Sequence, residues 1–161
     1  MTSGDGTNDY QNKQHCGISM IVNDLNNPSV MKKFVYAYVS DRLKGTNVLP
    51  SWGPFIIAIG GMDGASQKDL SEELDVNKSF TTRIVRILID EGIVVNRGDC
   101  REFDLVLTEK GMNLRTELIG YLTDCRDYLS SDFNEKELEA FKICNQKILN
   151  KIDEYYRSRG R

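Results

Sequence analysis

Apolar residues recur at helical spacing along most of this chain and alternate in one short region. Met31, Phe34, Val35 and Tyr38 fall at i, i+3, i+4 and i+7, which predicts a helix opened by Asn27-Pro28 and ended by Gly45. Phe55 to Ile59 is almost continuously apolar and suits a buried strand or a short buried helix; the order of its neighbours favours helix. Gly60 to Gly64 reads as a loop. Ser66, with Asp69 three residues on, has the pattern of a capping box, and Leu70 and Leu74 give that helix its buried face. Asp75-Val76-Asn77 is the next turn, Asn77 a good N-cap. A second helix follows from Lys78 to Glu91, with Thr81, Ile84, Val85 and Leu88 inward and Gly92 as its stop.

The period then changes. Ile93-Val94-Val95 reads as a β-branched strand and Phe103 to Leu107 as its alternating hairpin partner, joined through residues 96–102. Thr108 caps a long helix predicted to reach Ser130, with Leu114, Leu118, Leu122 and Leu129 on or near one face. Asn134 and Glu137 make a second capping box, before a last helix carrying Leu138, Phe141, Ile148, Ile152 and Tyr155. Residues 1–26 read as a flexible tail, with Ile18–Val22 its one apolar patch. The fold class expected is mainly α with a small β-hairpin wing: a winged helix-turn-helix with further helices on both sides.

Two helices at a tight turn followed by a hairpin are an arrangement suited to DNA. A helix fits the major groove, and its early residues reach the base edges. Between Asn77 and Ile89 the chain has Lys78, Arg83 and Arg86 and no acid. Ser79 and Thr82 suit bases or phosphates, and Arg83 suits a guanine edge. Phe80 is open between meeting a thymine methyl group and packing under the preceding helix. Arg86, a turn later, suits a phosphate, as do Ser66, Gln67 and Lys68 at the start of the first helix of the pair. On the wing, Arg97 and Arg101 supply cations; Arg101 suits a narrow minor groove, with Asp99 beside it to hold it.

The whole chain has 161 residues, 40% hydrophobic and 28% charged, and a net charge of −3. That charge predicts modest nonspecific affinity, because only a local surface is basic. No stretch approaches a membrane span, and the polar N-terminus has no apolar leader core. Cys16, Cys100, Cys125 and Cys144 are scattered, without metal-ligand spacing, and read as reduced thiols in a cytoplasmic protein. His15-Cys16 is too few ligands for a metal. A single histidine, no nucleophile–base set and no glycine-rich phosphate loop argue against an enzyme, and no cofactor or metal is expected.

The stretch QKDLSEELDVNKSFTTRIVRILIDEGIV, the wing Asp99-x-Arg101 and the following LVLTEKG together resemble the MarR family of winged-helix transcription regulators, over roughly Pro28 to Tyr156. The resemblance implies a homodimer on double-stranded DNA. Residues 27–48 and 111–157 would then be dimerisation helices, and 49–110 the winged helix-turn-helix. It implies recognition by Ser79, Phe80, Thr82 and Arg83 and a minor-groove role for Arg101. It also implies repression that many family members relieve by binding a small phenolic or lipophilic effector. Tyr36, Tyr38, Trp52 and Phe55 are candidates to line such a pocket, with core packing the favoured reading. Two alternatives stay open: a winged-helix protein-interaction module, and a redox-responsive regulator sensing through Cys100.

Overall fold

The computed structural model describes residues 28–99 and 103–159. The expectations for residues 1–26, including His15 and Cys16, and those for Cys100 and Arg101 lie outside this range. Among the described residues six α-helices and one hairpin occur in the order α1 (Pro28–Arg42), a 3-10 turn (Pro50–Trp52), α2 (Gly53–Ile59), α3 (Gln67–Glu73), α4 (Lys78–Asp90), β1 (Val94–Asn96), β2 (Leu105–Leu107), α5 (Glu109–Leu129) and α6 (Glu135–Arg157). Among the described residues no helix is long and apolar enough to cross a membrane.

The ambiguous apolar run resolves as helix. Phe55, Ile56 and Ile59 are its buried side chains, at i, i+1 and i+4, and Pro54 stands in the first turn where no hydrogen bond is lost. These side chains join Leu70 of α3 and Ile84, Val85 and Leu88 of α4 in one core with Ile93, Val94 and Leu105 of the hairpin. From α5, Leu114 and Leu118 close it, one helical turn apart. Val39 and Leu43 attach α1 to the same core.

The hairpin is antiparallel, with Val94 opposite Leu107, Val95 opposite Val106 and Asn96 opposite Leu105. The second strand is shorter than its apolar alternation suggests. In a continuing ladder the Asp104 N–H would bond back to Arg97; it meets Asn96 Oδ1 at 2.8 Å instead. Ile93 is buried but stands outside the ladder: its carbonyl accepts the Thr108 N–H at 3.0 Å, as the register requires, but its own N–H goes to the Leu88 carbonyl at 2.9 Å. Thr108 thus joins strand to helix: its hydroxyl accepts from Gly111 N–H at 3.1 Å and donates to the Gly92 carbonyl at 2.7 Å. Gly111 is required there, since a Cβ would stand 2.2 Å from the Ile93 carbonyl oxygen.

The outer helices differ from the core. Leu122 and Leu129 on α5 are exposed, and α6 has no buried residue. Leu88→Ala, at a site with no solvent access, is expected to lower unfolding free energy by about 2–5 kcal/mol. Loss of the Thr108 cap by Thr108→Ala is expected to cost about 1 kcal/mol. Urea unfolding of both variants beside the parent measures these losses.

Candidate nucleic-acid interface

The turn between α3 and α4 sets how the two helices meet. Leu74 ends α3, and Asp75 takes a left-handed conformation (φ 49°). The Val76 N–H then reaches back to the Ser71 carbonyl at 3.0 Å and the Asp75 N–H to Glu72 at 3.3 Å. This is the paired closure of a Schellman motif, with an aspartate where glycine is commoner. One residue later Asn77 Oδ1 accepts from the Phe80 N–H at 2.8 Å and starts α4.

On α4 the inward stripe is Thr81, Ile84, Val85 and Leu88, all buried. The hydroxyl of Thr81 would be unsatisfied there, and it donates to the Asn77 carbonyl at 3.3 Å. With that stripe fixed, Lys78, Ser79, Thr82, Arg83 and Arg86 are exposed. Lys78, Thr82 and Arg86 follow one another at single-turn spacing, with Ser79 and Arg83 alongside, so they form one polar, cationic strip. Phe80 takes the packing position. Its ring lies 5.8 Å from that of Phe55, and the Arg83 guanidinium carbon sits 5.2 Å from the Phe80 ring centre. Arg83 therefore rests on a ring that is itself seated on the core.

The start of α3 carries the capping box expected from Ser66 and Asp69. Asp69 Oδ2 accepts from both the Ser66 N–H (3.0 Å) and the Ser66 hydroxyl (2.7 Å), and that hydroxyl accepts from Asp69 N–H at 3.1 Å. The Ser66 N–H and hydroxyl are thus both engaged with a carboxylate. Gln67 Oε1 accepts from the Thr82 hydroxyl at 2.7 Å, a contact across 15 residues that ties α3 to α4. Lys68 is 3.7 Å from Glu72 on its own helix. On the wing, Arg97 pairs with Asp104, Nε to Oδ2 at 3.0 Å, and Asp99 is exposed.

A separate cleft of about 780 Å³ lies between α1, α2 and α5. Its wall is Met31, Val35, Tyr36, Val39, Ile57, Leu118 and Leu122, with Lys32 and Glu73 as its charges. Of the four aromatic candidates, the cleft meets Tyr36. Trp52 and Phe55 are buried in the core, and Tyr38 belongs to a ring cluster with Phe34 and Tyr128. The aliphatic wall had no distinct sequence signal, because its residues share the spacing of ordinary core.

No family model matches the chain. An HTH-type transcriptional regulator, BilQ, from Clostridioides difficile (strain CD3) is 25% identical over 132 residues, covering 80% of this chain and 85% of its own. A MarR transcriptional regulator from Methanosarcina mazei Go1 superposes with a TM-score of 0.71 at 22% identity, covering 88% of this chain and 95% of its own. A putative MarR family regulator from Listeria monocytogenes, complexed with a 26mer DNA, gives 0.68 at 19% identity, covering 87% and 97%. The fold is the MarR-family winged helix. Within that fold α3 and α4 are the helix pair and β1–β2 the wing.

The carboxyl of Asp69 is held below its ordinary value, first by the Ser66 hydroxyl, then by the Ser66 N–H, with Lys68 adding to the effect. A lowered folded-state pKa means that this cap stabilises α3 above the unfolded carboxylate's pKa. The contribution is lost as pH falls through the folded value. Ser66→Ala is expected to raise the Asp69 titration midpoint toward that of an ordinary aspartate. An NMR titration of the Asp69 side chain reads it, and an unmoved midpoint would refute the cap as the cause.

Proposed function

We propose that this chain is a sequence-specific DNA-binding transcription regulator that acts as a homodimer. The observation that carries this reading is the polar, cationic strip of α4, held outward by a fully buried opposite face. The named relatives support it: one is a transcriptional regulator, and another was crystallised with DNA. In this reading Arg83 reads a base, Ser79 and Thr82 contact bases or phosphates, and Lys78 and Arg86 contact phosphates. The sign of regulation we infer is repression, from the resemblance of the helix pair and wing to that family.

The exposed apolar residues of the outer helices support the dimer. Phe141, Ile148, Ile152 and Tyr155 share one side of α6 at helical spacing and are open to solvent. A contiguous apolar face of that kind marks an association surface, and a second copy of this chain is the occupant we assign. Residues 27–48 and 111–157 would be the dimerisation parts and 49–110 the DNA-binding part. The double variant Ile148→Glu/Ile152→Glu is expected to sediment as a monomer at concentrations where the parent is a dimer. An unchanged sedimentation coefficient would move the interface elsewhere.

The cleft beside α1 and α5 is the place we assign to an effector. It is large enough for a small aromatic or lipophilic molecule, and its wall is almost wholly apolar. Occupancy would alter the packing of α1 and α5 on α2, and through α2 the seating of the helix pair.

Fluorescence anisotropy on the DNA upstream of this protein's own gene, with a scrambled fragment beside it, tests the function. Binding should prefer the native fragment and weaken steeply with salt, because phosphate contacts release counterions. Arg86→Ala should weaken both fragments alike. Arg83→Ala should cost about 1–3 kcal/mol on the native fragment and relax preference at one base position. Weak binding indifferent to sequence and to Arg83 would instead favour a protein-interaction module, a reading that the acidic net charge also suits.

A further inference from the structure

At the base of the wing, just past the last ladder pair, Arg97 and Asp104 face each other. Arg97 Nε donates to Asp104 Oδ2 at 3.0 Å and its Nη2 to Oδ1 at 3.3 Å, so both carboxylate oxygens are held. The backbones of the same two residues are joined, Arg97 N–H to the Asp104 carbonyl at 2.9 Å. Asn96 Oδ1 accepts from the N–H groups of Gly98 (3.1 Å) and Asp104 (2.8 Å) and fixes the turn beneath the pair.

The other side of the pair is the loop that leads into α3. Gly64 is left-handed (φ +82°), and a Cβ there would stand 2.0 Å from Asp104 Oδ1. The missing side chain is what lets the carboxylate lie against this loop. Ala65, next in the chain, is fully buried and exchanges both backbone hydrogen bonds with Leu105, at 3.0 and 2.9 Å. Ser66, the N-cap of α3, follows directly.

We propose that Arg97 and Asp104 form a clamp that seats the wing on the Gly64–Ala65 loop, making Arg97 a positioning residue and not a phosphate contact. The proposal deepens the DNA-binding reading and rests on it for its functional consequence. The pair is half-exposed, so its contribution is direction more than stability. Two parallel N–H···O bonds fix the guanidinium plane, and the backbone bonds at 97, 104 and 65 carry that orientation into the start of α3. Wing and helix pair then present their surfaces at one set angle. An arginine left free here would add attraction for any DNA without reading sequence.

The test combines amide hydrogen exchange in the free protein with the salt dependence of binding to the upstream fragment. The variants are Arg97→Gln, Asp104→Asn, their double, and Arg97→Lys. The clamp predicts that the Ala65 and Leu105 amides exchange about two- to five-fold faster in either single variant, no faster in the double than in the singles, and at an intermediate rate in Arg97→Lys. Gly64→Ala should speed the same amides by displacing the carboxylate. On DNA, Arg97→Gln should lower specific affinity several-fold while leaving the slope of log K against log salt unchanged. A slope smaller by about 0.9 with exchange unaltered would make Arg97 a direct phosphate contact and overturn the proposal. Unaltered exchange in Asp104→Asn would overturn it equally. If the parent protein shows no preference for the upstream fragment, the DNA reading fails, and the exchange rates still decide the clamp.

Discussion

The rotational setting of α4 is the constraint on which the rest of this molecule depends. Thr81, Ile84, Val85 and Leu88 leave one way for the helix to lie on α2, α3 and the hairpin, because any turn about its axis would bury Arg83 or Arg86. Burying an unpaired guanidinium costs far more than exposing a valine, so the cationic strip faces outward for reasons of stability alone. The groups around it reinforce that setting. Gln67 holds Thr82, Phe80 bridges Phe55 to Arg83, and the Asn77 cap fixes where the first turn begins. The surface offered to a partner is a by-product of how the core is filled.

The same core ties α2, α5 and the hairpin to the helix pair. Thr108 bonds at once to the end of α4, the start of β1 and the first turn of α5. Lys110 adds a bond to the Glu91 carbonyl at 2.7 Å. Farther along α5 the anchoring changes character. Cys125 is buried, which pushes its thiol up despite the opposing charge of Arg42, so it behaves as a small apolar residue. Around it Arg42 lies over the Tyr38 ring at 3.7 Å, and Phe34, Tyr38 and Tyr128 cluster at about 6 Å separations, so aromatic contact adds to the aliphatic packing of Val39 and Leu43 in holding α1 to α5.

Much of this was legible in the sequence because the signals are local. Both capping boxes, the Asn77 and Thr108 caps and the inward stripe of α4 depend on residues of one short segment, each no more than four positions from the next, and all are present. What was not legible depends on distance or on competition. Lys68 carried no mark of a partner, yet Glu72 lies 3.7 Å from it on the same helix. Arg97 looked like a wing cation because its partner, Asp104, becomes a neighbour only when the hairpin register is set. For Trp52 and Phe55 core packing was the favoured reading, and the fold uses them so. The actual wall of the cleft comes from α1, α2 and α5 together, elements whose mutual packing no local pattern encodes.

A protein of net charge −3 can still present a cationic face, provided its acids lie where they do other work. Here they do. Asp69 caps α3, Glu72 pairs with Lys68, Asp104 holds Arg97, and Glu137 caps α6. None of these stands on the outward strip of α4, where Lys78, Arg83 and Arg86 have no ion-pair partner among the described residues. The acids of α3 nonetheless stand on the helix packed against α4, so their repulsion reaches a polyanion on that strip to a degree that salt screens. They weaken its attraction for any polyanion while leaving short-range hydrogen bonds intact. A surface built this way depends on correct fit more than on charge, which gives the angle between wing and helix pair its weight.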